Sequence, residues 1–210
     1  MKLLLTWLPL PITVVATSTL GAVLGYASSE IYVIGLAALT MGLTAGAVVS
    51  VVSLLAVGSL VSRAWLCAGL GVLSGWLVLQ GAEDVAFQAH WRQDYAAAQQ
   101  AAAGVDPGAG LGADEQVFYS EGADTALEAQ VVEVSGVGGA AGRWLFRAES
   151  GVRLLGPARG GRGLPVGRVG AMIWSVLEIL LALLVAQRLL NRVKEALSQQ
   201  AESERALHES

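Results

Sequence analysis

The chain has 210 residues, 54% of them hydrophobic and 14% charged, with a formal net charge of −4 and a mean hydropathy of +0.59. Soluble domains carry about 25% charged residues, so much of this chain is withheld from water, and its mild acidity excludes a generally basic nucleic-acid binder. One cysteine, Cys67, and two histidines, His90 and His208, exclude an intrachain disulfide and a multi-cysteine or histidine-rich metal centre.

Residues 3–29 contain no Asp, Glu, Lys or Arg, and about 20 apolar residues cross a ~30 Å hydrocarbon layer as a helix. Lys2, the apolar run and Gly25-Tyr26-Ala27 have the outline of a secretory signal, but the run exceeds the usual h-region of about 7–15 residues. It is therefore read as an uncleaved first span over 3–27. Pro9 and Pro11 fall in its first turns, where a missing N–H matters least. The next charge-free runs lie between Glu30 and Arg63 and between Arg63 and Glu83; they predict spans at 31–58 and 64–82. Residues 1–82 thus form a three-helix membrane region. Helix is the spanning form here, because a lone strand leaves its backbone unpaired in lipid. Gly21 and Gly25, Gly42 and Gly46, and Gly71 and Gly75 each stand four residues apart, one pair per span. Such pairs share a helix face and let two backbones approach closely. They predict that the first three helices pack against one another; a homodimer seam is the alternative.

Residues 83–168 form the only segment large enough to fold outside the bilayer. Its charge is divided, with a net of −9 over 83–133 and +5 over 134–168. The two halves are expected to face each other, or the basic half to lie on anionic headgroups. Residues 84–103 read as a helix continuing out of the third span, broken by Gly104, Pro107, Gly108, Gly110 and Gly112. Thr125-x-x-Glu128 has the form of a capping box starting a short helix, while 130–135 and 143–150 fit either a strand or a helix. Glu149 and Arg153 make a possible i,i+4 pair. The glycines and prolines of 156–167 read as a loop returning to the membrane, and no Gly-Lys-Ser/Thr follows them to make a phosphate loop.

Residues 169–190 form the fourth span, interrupted by Glu178. A charge at mid-bilayer costs about 2.5–3.5 kcal/mol even on lenient scales, so such residues face the bundle and mark an ion path, a proton relay or a polar clamp. The expected clamp is a protonated carboxyl bonded to Thr40, Thr44, Ser50, Ser53 or Ser74. Trp7, Trp65, Trp91 and Trp174 fall near span ends, as headgroup-level aromatics do. The tail, 191–210, continues the helix, with Leu190, Val193, Leu197 and Leu207 spaced as a face for a partner. Lys2, Arg63, Arg188, Arg192 and Lys194 place both termini in the cytoplasm and 83–168 outside.

Three features combine into a resemblance. They are the Gly-rich spans turning at Arg63, the segment Arg147-Ala-Glu-Ser-Gly-Val152, and Gly163-Leu-Pro-Val-Gly167 running into Trp174 and Glu178. Together they resemble a group of uncharacterised bacterial four-span membrane proteins, many of which end in a Cys-containing tail that this chain lacks. The resemblance implies the architecture and no activity.

The expected fold class is an all-α membrane protein of four transmembrane helices, with a small extramembrane segment between the third and fourth. No metal or cofactor is expected. His90 and Asp94 share a helical spacing without the further positioned group that catalysis needs, and Cys67, near the membrane edge, is read as a packing residue in preference to an acylation site. The expected function is that of a non-enzymatic structural or interaction subunit of the bacterial inner membrane. Its surroundings would be the lipid bilayer and a membrane-protein partner or a second copy. The alternative is a small transporter or channel component using Glu178. A membrane-embedded hydrolase is disfavoured, because no histidine lies inside a span.

Overall fold

A computed structural model describes residues 2–28, 35–104, 113–150 and 167–209. Every element among them is a helix: α1 (Lys2–Trp7), α2 (Pro9–Ser28), α3 (Leu36–Val57), α4 (Ala64–Ala102), α5 (Ala113–Ser135), α6 (Gly139–Ser150) and α7 (Gly167–Glu209). The entry helix breaks at Leu8 because Pro9 has no N–H and disfavours helical geometry in the residue before it. Gly58 closes α3 in the left-handed conformation at φ 70°, its N–H bonded to the Leu54 carbonyl at 2.9 Å, which is what a glycine at this position permits without a Cβ clash.

Four helices are long and apolar enough to cross a membrane, over Leu5–Ala27, Leu36–Val57, Ala64–Ala102 and Gly167–Leu207. The chain is an all-helical, multi-pass membrane protein. The third and fourth of these helices run well past the spans expected at 64–82 and 169–190. Nothing at the charge boundaries stops them, since Ala, Gln, Glu and Lys are good helix formers. Glu30, Arg153, and the loop glycines and prolines up to Pro165 lie outside the described residues.

The chain divides into two compact units. One comprises Met1–Ser28, Val33–Gly81 and Met172–Ser210. Its core is made of small side chains: Ala38, Ala45, Ala64, Cys67, Ala68, Ala182 and Ala186, filled out by Val49, Val61, Val72 and Leu190. Large apolar side chains point outward instead, among them Leu55 at 83% exposure, Val15 at 66% and Leu77 at 64%. A water-soluble bundle hides its largest apolar groups; this unit exposes them and buries what lets helices touch, as lipid-embedded helices do. Arg63 stacks over Trp7, 4.7 Å from the ring centroid, so the start of the first span and the turn between the second and third lie at the same end.

The other unit is built on Ala82–Ala171. It holds the second half of α4, then α5 and α6, which pack together, and the first residues of α7. Residues 130–135 and 143–149, ambiguous in sequence, are helical, belonging to α5 and α6. The capping box expected at Thr125 is absent. Helix α5 begins twelve residues earlier, at Ala113; Thr125 bonds back to the Glu121 carbonyl at 2.9 Å. Glu128 accepts instead the N–H of Gly139 at 2.6 Å, across the turn that follows α5.

Candidate functional site

The five expected packing glycines for which neighbours are described, Gly21, Gly42, Gly46, Gly71 and Gly75, fall into two helix pairs. A Cβ on Gly21 would collide with the Gly75 carbonyl, and one on Gly75 would stand 2.8 Å from the Thr17 carbonyl. A Cβ on Gly71 would meet Thr13 Cγ2 at 2.5 Å. Contacts thus advance from Thr13 with Gly71 to Gly21 with Leu79, so α2 and α4 run parallel. Polar bonds lie along the same line. The Thr17 hydroxyl reaches the Gly71 carbonyl at 2.7 Å and the Thr13 carbonyl at 2.8 Å, and the Ser18 and Ser74 hydroxyls are 2.8 Å apart. Gly25 is buried one turn beyond Gly21.

Gly42 and Gly46 face α7, not the first or third span. A Cβ on Gly42 would collide with the Ala182 carbonyl, and one on Gly46 would approach Leu189 Cδ2 to 3.1 Å and the Ala186 carbonyl to 3.2 Å. These contacts also advance in one direction, so α3 and α7 are parallel. The matching small stripe is on α7, where Ala182 and Ala186 repeat the four-residue spacing.

Glu178 belongs to that stripe, one turn before Ala182. It is buried, at 9% exposure, at the depth of Ala38, which stands one turn before Gly42. The carboxyl is therefore turned into the bundle rather than toward lipid. Most hydroxyls considered for a clamp are engaged elsewhere: Thr40 with the Leu36 carbonyl at 2.8 Å, Ser50 with the Gly46 carbonyl at 2.7 Å, and Ser74 with Ser18. The Ser53 hydroxyl is buried with no hydrogen-bond partner among the described residues.

The second polar centre is in the unit built on Ala82–Ala171, and sequence reasoning did not single it out. Asp84 is buried at 8% exposure and is gripped by Arg143, whose Nε lies 3.0 Å from Oδ1 and whose Nη2 lies 2.8 Å from Oδ2. Gln88, one turn on, donates to the same carboxylate at 3.0 Å. Arg143 Nη1 is also 3.5 Å from Glu128. This two-pronged bond holds the Arg143 guanidinium above its ordinary pKa. Arg147 stands 3.6 Å from Glu83 and 5.9 Å from the centroid of Phe87. Burial lowers its pKa, against the pull of Glu83 and Asp84. Arg92 forks onto Asp124 at 2.7 and 2.8 Å, and Arg168 pairs with Glu149 at 2.7 Å. Acids of the first half thus meet Arg143 and Arg147 of the second, while Arg92 pairs with Asp124 within the first half and Arg168 with Glu149 within the second. Trp91, assigned by sequence to a span end, donates to the Ala123 carbonyl at 3.1 Å inside this unit.

An open groove of about 750 Å³ runs beside this network, lined by Asp124, Thr125, Glu128, Val132 and Arg143 among others. Asp124 there is paired with Arg92, and Arg143 with Asp84 and Glu128. His90 is half-buried and Asp94 exposed. Among the described residues, no group of three or more His, Cys, Asp or Glu side chains is placed to hold a metal ion. Comparison with protein-family models, curated proteins and solved structures finds no match.

Proposed function

We propose that this chain is a non-enzymatic subunit of a bacterial inner membrane, with both termini in the cytoplasm, that holds a protein partner through the end of α7. The observation that carries this reading is the continuation of α7 past its span. The helix has 43 residues, about 64 Å at 1.5 Å per residue, while a span uses about 20. Residues 191–207 are exposed except for Val193 and Leu197, which are half-buried. A free helix of this length is marginal in water, and Val193 and Leu197, beyond the buried Leu190, continue an apolar stripe of the kind that docks on another helix. The basic residues Arg188, Arg192 and Lys194 support a cytoplasmic end for that helix. Purification of the full chain in mild detergent should bring down a stoichiometric protein or a second copy. Truncation after Asn191 should release it while the spans remain folded. A full chain that purifies alone as a monomer overturns the proposal.

The burial of Glu178 favours a second reading, a small transporter or channel component. Proton- or ion-driven uptake into vesicles reconstituted with the full chain, lost in Glu178→Gln, would select it.

A further inference from the structure

We infer that Arg188 and Arg192 hold the headgroup phosphate of one anionic phospholipid, whose acyl chains lie along the outward face of α7. This rests on the spans and not on the subunit reading above. Residues three or four apart share a helix face, and Leu177, Leu181, Leu184, Arg188 and Arg192 follow one another at those spacings. The three leucines are 52%, 38% and 53% exposed, and both arginines are exposed. Ala182, Ala186 and Leu190, buried in the core, lie on the opposite side of the helix. A strip of apolar side chains facing lipid thus ends in two cations.

The level of those cations decides what they meet. The contacts of Gly42 with Ala182 and of Gly46 with Ala186 set Arg188 level with Val48 of α3 and Arg192 level with Val52. Helix α3 stays free of charge to its end at Val57, five residues or about 7.5 Å beyond Val52. It still presents Val51 and Leu55 outward there, at 54% and 83% exposure. The arginines therefore leave α7 beside a helix that is still apolar, and their side chains reach along it toward the headgroups. Among the described residues neither guanidinium has an acidic partner, Glu195 one turn on included. Lipid phosphate is the anion at hand. A guanidinium meets phosphate through paired N–H bonds, and side chains four apart on a helix stand about 5–6 Å from each other at Cβ, close enough for both to grip one phosphate. Two unpaired positive charges favour a lipid of net negative charge, because a zwitterionic one brings its own ammonium to the same place. Arg63, at the same end of the unit, is stacked on Trp7 instead. Val193 and Leu197 lie on the other side of α7, so the lipid leaves them free.

The test is native mass spectrometry of the full chain in mild detergent, given equal amounts of phosphatidylglycerol and phosphatidylcholine with the same acyl chains. The unaltered chain should retain one phosphatidylglycerol, several-fold over phosphatidylcholine. The double variant Arg188→Gln with Arg192→Gln should bring that ratio close to one while its melting temperature in detergent alone holds. Lys194→Gln with Arg205→Gln removes as much charge from the same helix and should leave the ratio unchanged. Glycerol phosphate, the same anion without acyl chains, should not displace the lipid. A ratio near one for the unaltered chain overturns the inference, whatever the variants do. Equal loss in the two double variants overturns it in favour of diffuse charge, and displacement by glycerol phosphate overturns the part assigned to the leucines. Each of these outcomes leaves the protein partner of the α7 tail untouched.

Discussion

Asp84 is the charge on which the extramembrane unit most depends. Removing one member of a buried ion pair strands the other, and such losses run at about 3–5 kcal/mol. The Asp84 and Arg143 side chains keep 11% and 17% exposure, which places Asp84→Ala at the low end, about 3 kcal/mol. It should speed limited proteolysis within α5 and α6 while the spans resist. Arg92→Ala should cost under about 1 kcal/mol, because the Arg92–Asp124 pair is 43% and 47% exposed. Glu178 calls for a different contrast. Glutamine has nearly the same shape and both donates and accepts hydrogen bonds. In thermal melts in detergent, Glu178→Gln should therefore hold its melting temperature, while Glu178→Ala should lose about 1 kcal/mol, as membrane hydrogen bonds typically do. Equal loss in both would show that the acid's charge, not its hydrogen bonding, supports the bundle. Glu178 was legible in the sequence because one acid in an apolar run has no local explanation. The Asp84–Arg143 pair was not, since its members are 59 residues apart and each looks like an ordinary surface charge.

At the level of elements, the close seams make the glycines unequal. A Cβ on Gly75 would press on the Thr17 carbonyl at 2.8 Å, whereas one on Gly69 would meet only Leu183 Cδ2 at 3.7 Å. Gly75→Ala should therefore lower the melting temperature. Gly69→Ala should leave it level or raise it, since alanine is favoured over glycine in a helix by about 1 kcal/mol. Gly46→Leu should likewise destabilise more than Leu43→Ala, because Gly46 faces α7 and Leu43 is 51% exposed; comparable losses would speak against backbone contact at Gly46. The helices were legible because charge-free length is a strong signal, and so was the four-residue spacing of the glycines. Which helices the glycines would join was not, because adjacency in the chain suggested neighbours; α2 and α3 do pack together, but the glycine seams join the first span to the third and the second to the fourth. The valines of 130–135 favour a strand by propensity, but that stretch only continues a helix begun at Ala113 and packed on α6.

For the whole molecule, parallel seams require spans that cross in the same direction. The first and third do so, as do the second and fourth, in a chain that crosses four times. Reporter fusions at Ala103 and after Ser210 should therefore report opposite sides of the membrane, with the carboxyl-terminal fusion cytoplasmic as proposed from Lys2, Arg63, Arg188, Arg192 and Lys194. Matching sides would remove one crossing, and reversed sides would invert the orientation.

The seam between Gly46 and Ala186 also has a consequence in time. Its two faces are 140 residues apart in the order of synthesis, and at about 5–20 residues per second the second arrives roughly 7–28 s after the first. For those seconds the Gly42 and Gly46 face of α3 is in the membrane without the helix that fills it. A newly made chain must therefore lend that face to lipid, to the insertion machinery or to a neighbouring chain before its own last helix claims it.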